Sequence, residues 1–281
     1  MDWRGRRGSR NIEDRRGQTS RGGVAVGGVG MFALLIIGYF LGIDVTPLLQ
    51  DGGISQPVES RELTEADRAA GEFVSVTLAD TEEIWAEVFR EQVGRAYQPA
   101  TLVLFTGATQ SPCGGASGAT GPFYCPTDKK AYLDTDFFVT LEKRLGAKGD
   151  FAAAYVVAHE IAHHVQNELG ILSKANQIRA QVNEAESNAI SVRIELQADC
   201  LSGIWARRAA QAFGSIDRGD IEEAVNAARQ IGDDTLQRSA GQRPMPHTFT
   251  HGTSEQRARW FVTGLGSGQL RDCDTFSTDD L

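Results

Sequence analysis

The stretch AYVVAHEIAHHVQNELG, residues 154–170, constrains this chain more than any other. It is apolar on almost every turn, yet it carries His159, Glu160 and His163 in the spacing H-E-x-x-H. On an α-helix, positions four apart are turned by about 40° and lie about 6 Å apart along the axis, so the two imidazoles leave the same face. Both can therefore reach one metal ion. Glu160 lies three residues before His163 and projects beside that face, where it can address a water at the metal as a general base without ligating the ion. The flank FAAAYVVA would bury the helix, and buried imidazoles and a carboxylate need partners, which a metal supplies.

A catalytic zinc takes three protein ligands and keeps an open position for water. The extended pattern that ends in a third histidine is excluded, because Gln166 and Leu169 occupy its glycine and histidine positions. The other common ligand is a glutamate from a following helix. ELQADC offers Glu195, with Asp199 one turn later, in an otherwise apolar helix where charges are unexpected without a role. Glu195 is the expected third ligand, and Asp199 the carboxylate that orients a ligating imidazole. Glu184 and Glu186 are alternatives, but their surroundings, QVNEAESN, read as a solvated face. His164 points about 100° off the ligand face and reads as a core residue.

The chain has 281 residues, 41% of them hydrophobic, enough for a sizeable core with appendages. Seven Arg in residues 1–21 against Asp2, Glu13 and Asp14 give that tail a charge of about +4, so of the net −9 about −13 falls on the remainder. An acidic main domain argues against a nucleic-acid partner. Residues 22–43 carry no charge and as a helix would reach about 33 Å, the length of a membrane span. No A-x-A-like cleavage site follows, so an uncleaved anchor is expected, with residues 1–21 as a disordered cytoplasmic tail and the domain outside the membrane. Gly23 with Gly27 and Gly38 with Gly42 have the spacing of helix pairing, which allows a homo-oligomer through the anchor. Residues 44–60 read as a linker, and 61–281 as the folded domain.

Four cysteines suit an oxidising compartment. Cys113 and Cys125 bracket a Gly-rich loop that can bring its ends together, and Cys200 with Cys273 follows by elimination. The domain reads as α+β, mainly helical with a small sheet. Strands are expected at ATLVLFTG and KAYLD. The first of these is a candidate edge strand for an extended substrate. Helices are expected at DTEEIWAEVFREQ, with Asp80 or Thr81 as N-cap, at DTDFFVTLEKRLG, and at 150–170 and 188–214, each of the last two ended by a glycine. Two more fit DRGDIEEAVNAARQIG and TSEQRARWFVTGLG. Thr253 caps the last of these, with Gln256 in the capping-box position, and so would hold His251 just before a helix start. His251 is the candidate donor to a developing oxyanion, and His247 the weaker one.

The blocks CGGASGATGPFYCPTDKKAYLD, AYVVAHEIAHHVQN, ELQADCLSGIWA and HGTSEQRARWF together resemble those of membrane-anchored bacterial neutral zinc metallopeptidases. The resemblance covers residues from about 61 to the end and implies a gluzincin-type Zn2+ site. The segment E-x-x-A-D is similar to that of integral-membrane prenyl-protein endopeptidases, where the Glu is the third ligand. The expected activity is zinc-dependent hydrolysis of peptide bonds in a peptide or protein substrate. The alternatives are cleavage of cell-wall peptide cross-links and a non-catalytic, zinc-stabilised interaction module, the latter calling for a cysteine such as Cys200 on the metal.

Overall fold

A computed structural model of the protein describes residues 1–17, 62–117 and 121–281. Its α+β architecture is mainly helical with a small sheet, as the sequence pattern predicts. Strand β1 (Ile12–Asp14) is followed by helix α1 (Glu65–Val88), then β2 (Thr101–Phe105), β3 (Ala108–Ser111), β4 (Gly114–Ser117), β5 (Phe123–Cys125) and β6 (Lys130–Asp134). Helices α2 (Phe137–Lys143), α3 (Asp150–Glu168), α4 (Ile171–Arg179), α5 (Glu184–Phe213), α6 (Arg218–Gln230), α7 (Asp233–Ser239) and α8 (Ser254–Ser267) complete the order.

The main sheet runs β1-β2-β6-β5, with β1 and β6 parallel to β2 and β5 antiparallel to β6. Leu102 and Leu104 of β2 enter the core shared with the helices, while Val103 and Phe105 face a smaller cluster with Tyr132 and Cys125, the alternation a strand requires. Because β1 covers one side of β2 and β6 the other, β2 is an interior strand. The expectation that ATLVLFTG forms a free edge is thereby corrected; β5 is the edge at the opposite side of the sheet.

The N-terminal residues belong to this fold. Trp3 is buried edge-on against Phe73, Arg6 donates to both oxygens of Asp80 at 2.8 and 2.6 Å, and Asn11 reaches Glu82 at 2.8 Å. The reading of residues 1–21 as a disordered tail is corrected for 1–17: in what looks like a solvated run, Arg6 instead finds a carboxylate on α1, and Arg15 and Arg16 pair with Glu13 and Asp14 of β1. The expected membrane-spanning helix is corrected as well. Among the described residues no helix is long and apolar enough to cross a membrane. Residues 12–14 also share a sheet with 101–105, whereas a single crossing between them would place them on opposite sides of a bilayer. Residues 22–43, with the glycines proposed for helix pairing, and the linker 44–60 lie outside the described residues.

Helix α1 starts well before the expected Asp80 or Thr81. Thr64 caps it in a capping box with Asp67, and Asp80 sits buried in its middle, its carboxyl pushed up to about 6 by burial against the opposing pull of Arg6. α3 and α5 fall on the expected 150–170 and 188–214, α5 starting earlier, at Glu184, and ending at left-handed Gly214. α3 is buried on nearly all faces, with Phe151 stacked on Trp205 of α5 at 5.6 Å. α5 and α8 pack backbone to backbone: a Cβ on Gly203 would lie 2.0 Å from the Phe261 carbonyl oxygen, and one on Gly264 1.8 Å from that of Cys200. Disulfides join Cys113 to Cys125 and Cys200 to Cys273, as expected.

Candidate active site

His159 and His163 leave α3 one turn apart, and Glu195 reaches them from α5. Glu195 Oε2 lies 3.0 Å from His159 Nε2, and Glu195 Oε1 lies 3.5 Å from His163 Nε2. One ligand atom from each of the three residues lies within 4.8 Å of the others, so a single ion between them touches all three. Two nitrogens and one carboxylate oxygen are a donor set that suits Zn2+. Glu184 and Glu186 are exposed in the first turn of α5 and lie outside this group.

The electrostatics of the cluster also favour a cation. Burial disfavours a charged His159, but the carboxylates of Asp199 and Glu195 outweigh it and push the imidazole up to about 10. Burial likewise works against the Glu195 carboxylate, yet the two imidazoles hold it well below its ordinary range. Glu160 is buried beside them, its carboxyl raised by that burial, and its Oε2 has no hydrogen-bond partner among the described residues. An unpartnered buried carboxylate oxygen next to three convergent ligand atoms is what a site for a metal and a water requires.

Asp199, one turn beyond Glu195, is completely buried and approaches His159 Nδ1 to 2.9 Å. Three further bonds fix its carboxylate: Arg257 Nε donates to Oδ2 at 2.8 Å, Arg257 Nη2 to Oδ1 at 3.0 Å, and the Tyr155 hydroxyl to Oδ1 at 2.5 Å. Against the cost of burial, Arg257 and His159 hold Asp199 below the usual carboxylate range. Arg257 and Tyr155 were not singled out from the sequence. The available signal was Arg257 itself, an arginine at a buried position of α8.

His251 stands at the entry to α8, where Thr253 and Gln256 form the expected capping box. Its side chain is about half exposed and lines the same cleft as His159, Glu160, His163 and Glu195. Asp233, the first residue of α7, organises this loop. Its Oδ2 accepts from the backbone N–H groups of Thr250, His251 and Gly252 at 2.8, 2.6 and 3.0 Å, and its Oδ1 lies 3.2 Å from His251 Nδ1. Burial pulls the His251 imidazole down, but Asp233 and Glu195 raise it on balance. His247 lies in the short turn Pro246–Thr248, where its carbonyl accepts from Asn188. His164 is a core residue: Nε2 donates to the Gln98 carbonyl at 2.6 Å, and Nδ1 meets the Tyr124 hydroxyl at 2.9 Å.

The cleft measures about 730 Å³. Its walls are largely apolar, with Phe123 and Tyr124 of β5, Leu172 and Ile194 on one part and Ile231, Leu236 and Met245 on another. Cys200 is bonded to Cys273 and takes no part in the cluster.

A family model described as "Putative neutral zinc metallopeptidase" matches residues 1–276, and the chain belongs to that family. Zn2+ is the cofactor that membership implies. The chain is 44% identical to "Uncharacterized protein YpfJ" of Escherichia coli K12, covering 98% of this chain and 99% of that one. It is also 44% identical to "Uncharacterized protein Rv2575" of Mycobacterium tuberculosis, over 66% of this chain and 65% of that one. No solved structure matches.

Proposed function

We propose that this protein hydrolyses peptide bonds, with His159, His163 and Glu195 as zinc ligands, Glu160 as general base and His251 as oxyanion donor. The observation that carries the reading is the convergence of the three ligand atoms beside the unpartnered Oε2 of Glu160. Zinc, when bound there, supplies a Lewis acid and brings a water's pKa down toward ~7. Glu160 accepts a proton as the water oxygen bonds to the scissile carbonyl carbon, then returns it to the amine nitrogen as the C–N bond breaks. His251, held from behind by Asp233, donates to the carbonyl oxygen as it gains negative charge, an interaction that contributes about 2.7 to 4 kcal/mol in comparable sites. Asp199 and Arg257 keep His159 in one orientation.

The apolar cleft favours peptide segments with large apolar side chains beside the scissile bond, and the edge strand β5 along it offers backbone groups to an extended chain. A structural zinc site normally fills its fourth position with protein; Cys200 is committed to a disulfide, which favours catalysis over an interaction module. The two disulfides support an oxidising, extracytoplasmic location for the domain, with its N-terminal strand on the same side.

The roles separate experimentally. Glu195→Ala should lose zinc, while Glu160→Gln should keep zinc and lose turnover on an unfolded apolar protein substrate. Equal loss of zinc from both variants would defeat the assignment, and turnover confined to cell-wall fragments would move the substrate to peptide cross-links.

A further inference from the structure

A zinc-ligating imidazole is only as well placed as the partner of its second nitrogen. For His159 that partner is the Asp199 carboxylate. For His163 it is an amide: His163 Nδ1 donates to Gln166 Oε1 at 2.9 Å, one turn along α3. Gln166 is completely buried, and its orientation is over-determined. Its Nε2 donates to the Ile194 carbonyl at 2.8 Å and to Gln197 Oε1 at 3.0 Å, so the oxygen must face His163. Gln197 is fixed in turn, because its Nε2 donates to the Cys273 carbonyl at 2.9 Å. Cys273 is covalently joined to Cys200, the residue after Asp199.

We infer that Gln166 and Gln197 are positioning residues for His163, and that their buried chain of amide hydrogen bonds ties this ligand to the disulfide-closed turn at Cys273. The inference rests on the reading of His163 as a zinc ligand. With Gln166 accepting at Nδ1, the hydrogen is held there and the lone pair is kept at Nε2, the atom that faces Glu195. An uncharged acceptor also suits the charge balance. Glu160, Glu195 and Asp199 already place three carboxylates around the site, against Arg257 and a divalent cation. An amide orients the second imidazole without adding a fourth negative charge to a buried cluster. Every polar atom of the two glutamine side chains that takes part has a partner, so the chain acts as one connected unit.

The test uses the full chain and reads metal binding apart from peptide cleavage: zinc affinity by competition with a chromophoric chelator, and the visible spectrum of the Co2+-loaded protein as a report on ligand geometry. Gln166→Met preserves volume but removes the acceptor, and should weaken zinc about 10- to 100-fold and change the cobalt bands. Gln166→Glu keeps an acceptor for His163 Nδ1 but sets its second oxygen against the Ile194 carbonyl and Gln197 Oε1, so it should lower thermal stability and recover only part of the lost zinc affinity. Gln197→Met leaves Gln166 its Ile194 acceptor and should weaken zinc by less than Gln166→Met. Parent-like affinity and spectrum in Gln166→Met, or a Gln166→Glu protein as weak as Gln166→Met, overturns the inference. If Gln166→Met does not fold, parent-like zinc affinity in Gln197→Met overturns it instead. A parent chain that binds zinc but cleaves no peptide would refute the peptidase reading and leave this inference standing.

Discussion

Replacing Arg257 by Met removes the arginine that pairs with the fully buried Asp199 carboxylate, without opening space in the core. Arg257 and Asp199 are 2% and 0% exposed, and two hydrogen bonds of 2.8 and 3.0 Å join them, with a third of 3.2 Å from Arg257 to the Tyr155 hydroxyl. Breaking a buried pair by removing one partner costs about 3 to 5 kcal/mol, because the remaining charge is left uncompensated. Asp199 would still have Tyr155 and His159, which places the expected loss near the lower end, about 3 kcal/mol. For a chain of this size that is a fall in melting temperature of roughly 6 to 12 °C. Thermal and urea unfolding of the parent, Arg257→Met, Asp199→Asn and the double variant would measure it. Removing the charge as well as its partner should recover part of the loss, giving a coupling on the order of 2 kcal/mol. The pH dependence has a defined sign. Asp199 is held below its ordinary range, so its contribution to stability is present above the unfolded pKa of about 3.9 and is lost as pH falls through the lower folded value. Arg257→Met should flatten that acid limb. Single-variant losses that simply add, with an unchanged acid limb, would show that the pair does not carry the energy assigned to it.

His251→Ala should keep zinc and fold while losing about 10²-fold or more in turnover, and His247→Ala should lose far less; a parent-like rate in His251→Ala would rule out its role as donor. Asp233→Asn keeps an acceptor for the three loop N–H groups but drops the charge that raises His251. With Nδ1–H given to Asp233, Nε2 carries a donor proton only in the protonated ring, so activity should fail as pH rises through the His251 pKa, and this basic limb should move to lower pH in Asp233→Asn. For the compartment, non-reducing peptide mapping of protein taken from cells should recover the Cys113–Cys125 and Cys200–Cys273 links; four free thiols would contradict an oxidising location.

The parts of the fold legible in the sequence are those where local signals and burial agree. α3 and α5 have long apolar faces and end near glycines, and α8 has its capping box spelled out by Thr253 and Gln256. α4 and α7 were missed because they are short and polar, and their support is remote. α7 is held at its start by Asp233 bonded to the loop before α8, and by Gly232, where a Cβ would lie 2.3 Å from the Ser254 nitrogen. The first half of α1 carries Gly71, Val74 and Val76, poor helix formers in isolation, and stands because tertiary contacts bury it. The N-terminal segment misled for a related reason. Composition alone cannot distinguish arginines that meet water from Arg6, whose partner Asp80 is 74 residues away.

At the site, the groups legible in the sequence are those that break a pattern; the others conform to one. Two histidines and two carboxylates interrupt apolar helices, and so His159, His163, Glu195 and Asp199 were visible. Gln166 and Gln197 carry no charge to mark them out on those helices, Arg257 sits in the mixed stretch SEQRARWF, and each has a partner on another element. α8 links Asp199 of the first group to Arg257 of the second. Its close approach to α5 at Gly203 and Gly264 brings Arg257 onto Asp199, and so onto the back of His159. The loop at its N-terminus places His251 in the cleft under the control of Asp233. One helix thus supports the His159 imidazole from behind and sets His251 in the cleft. Arg257, one turn into α8, and His251, just before its first turn, are thereby positioned by the same element.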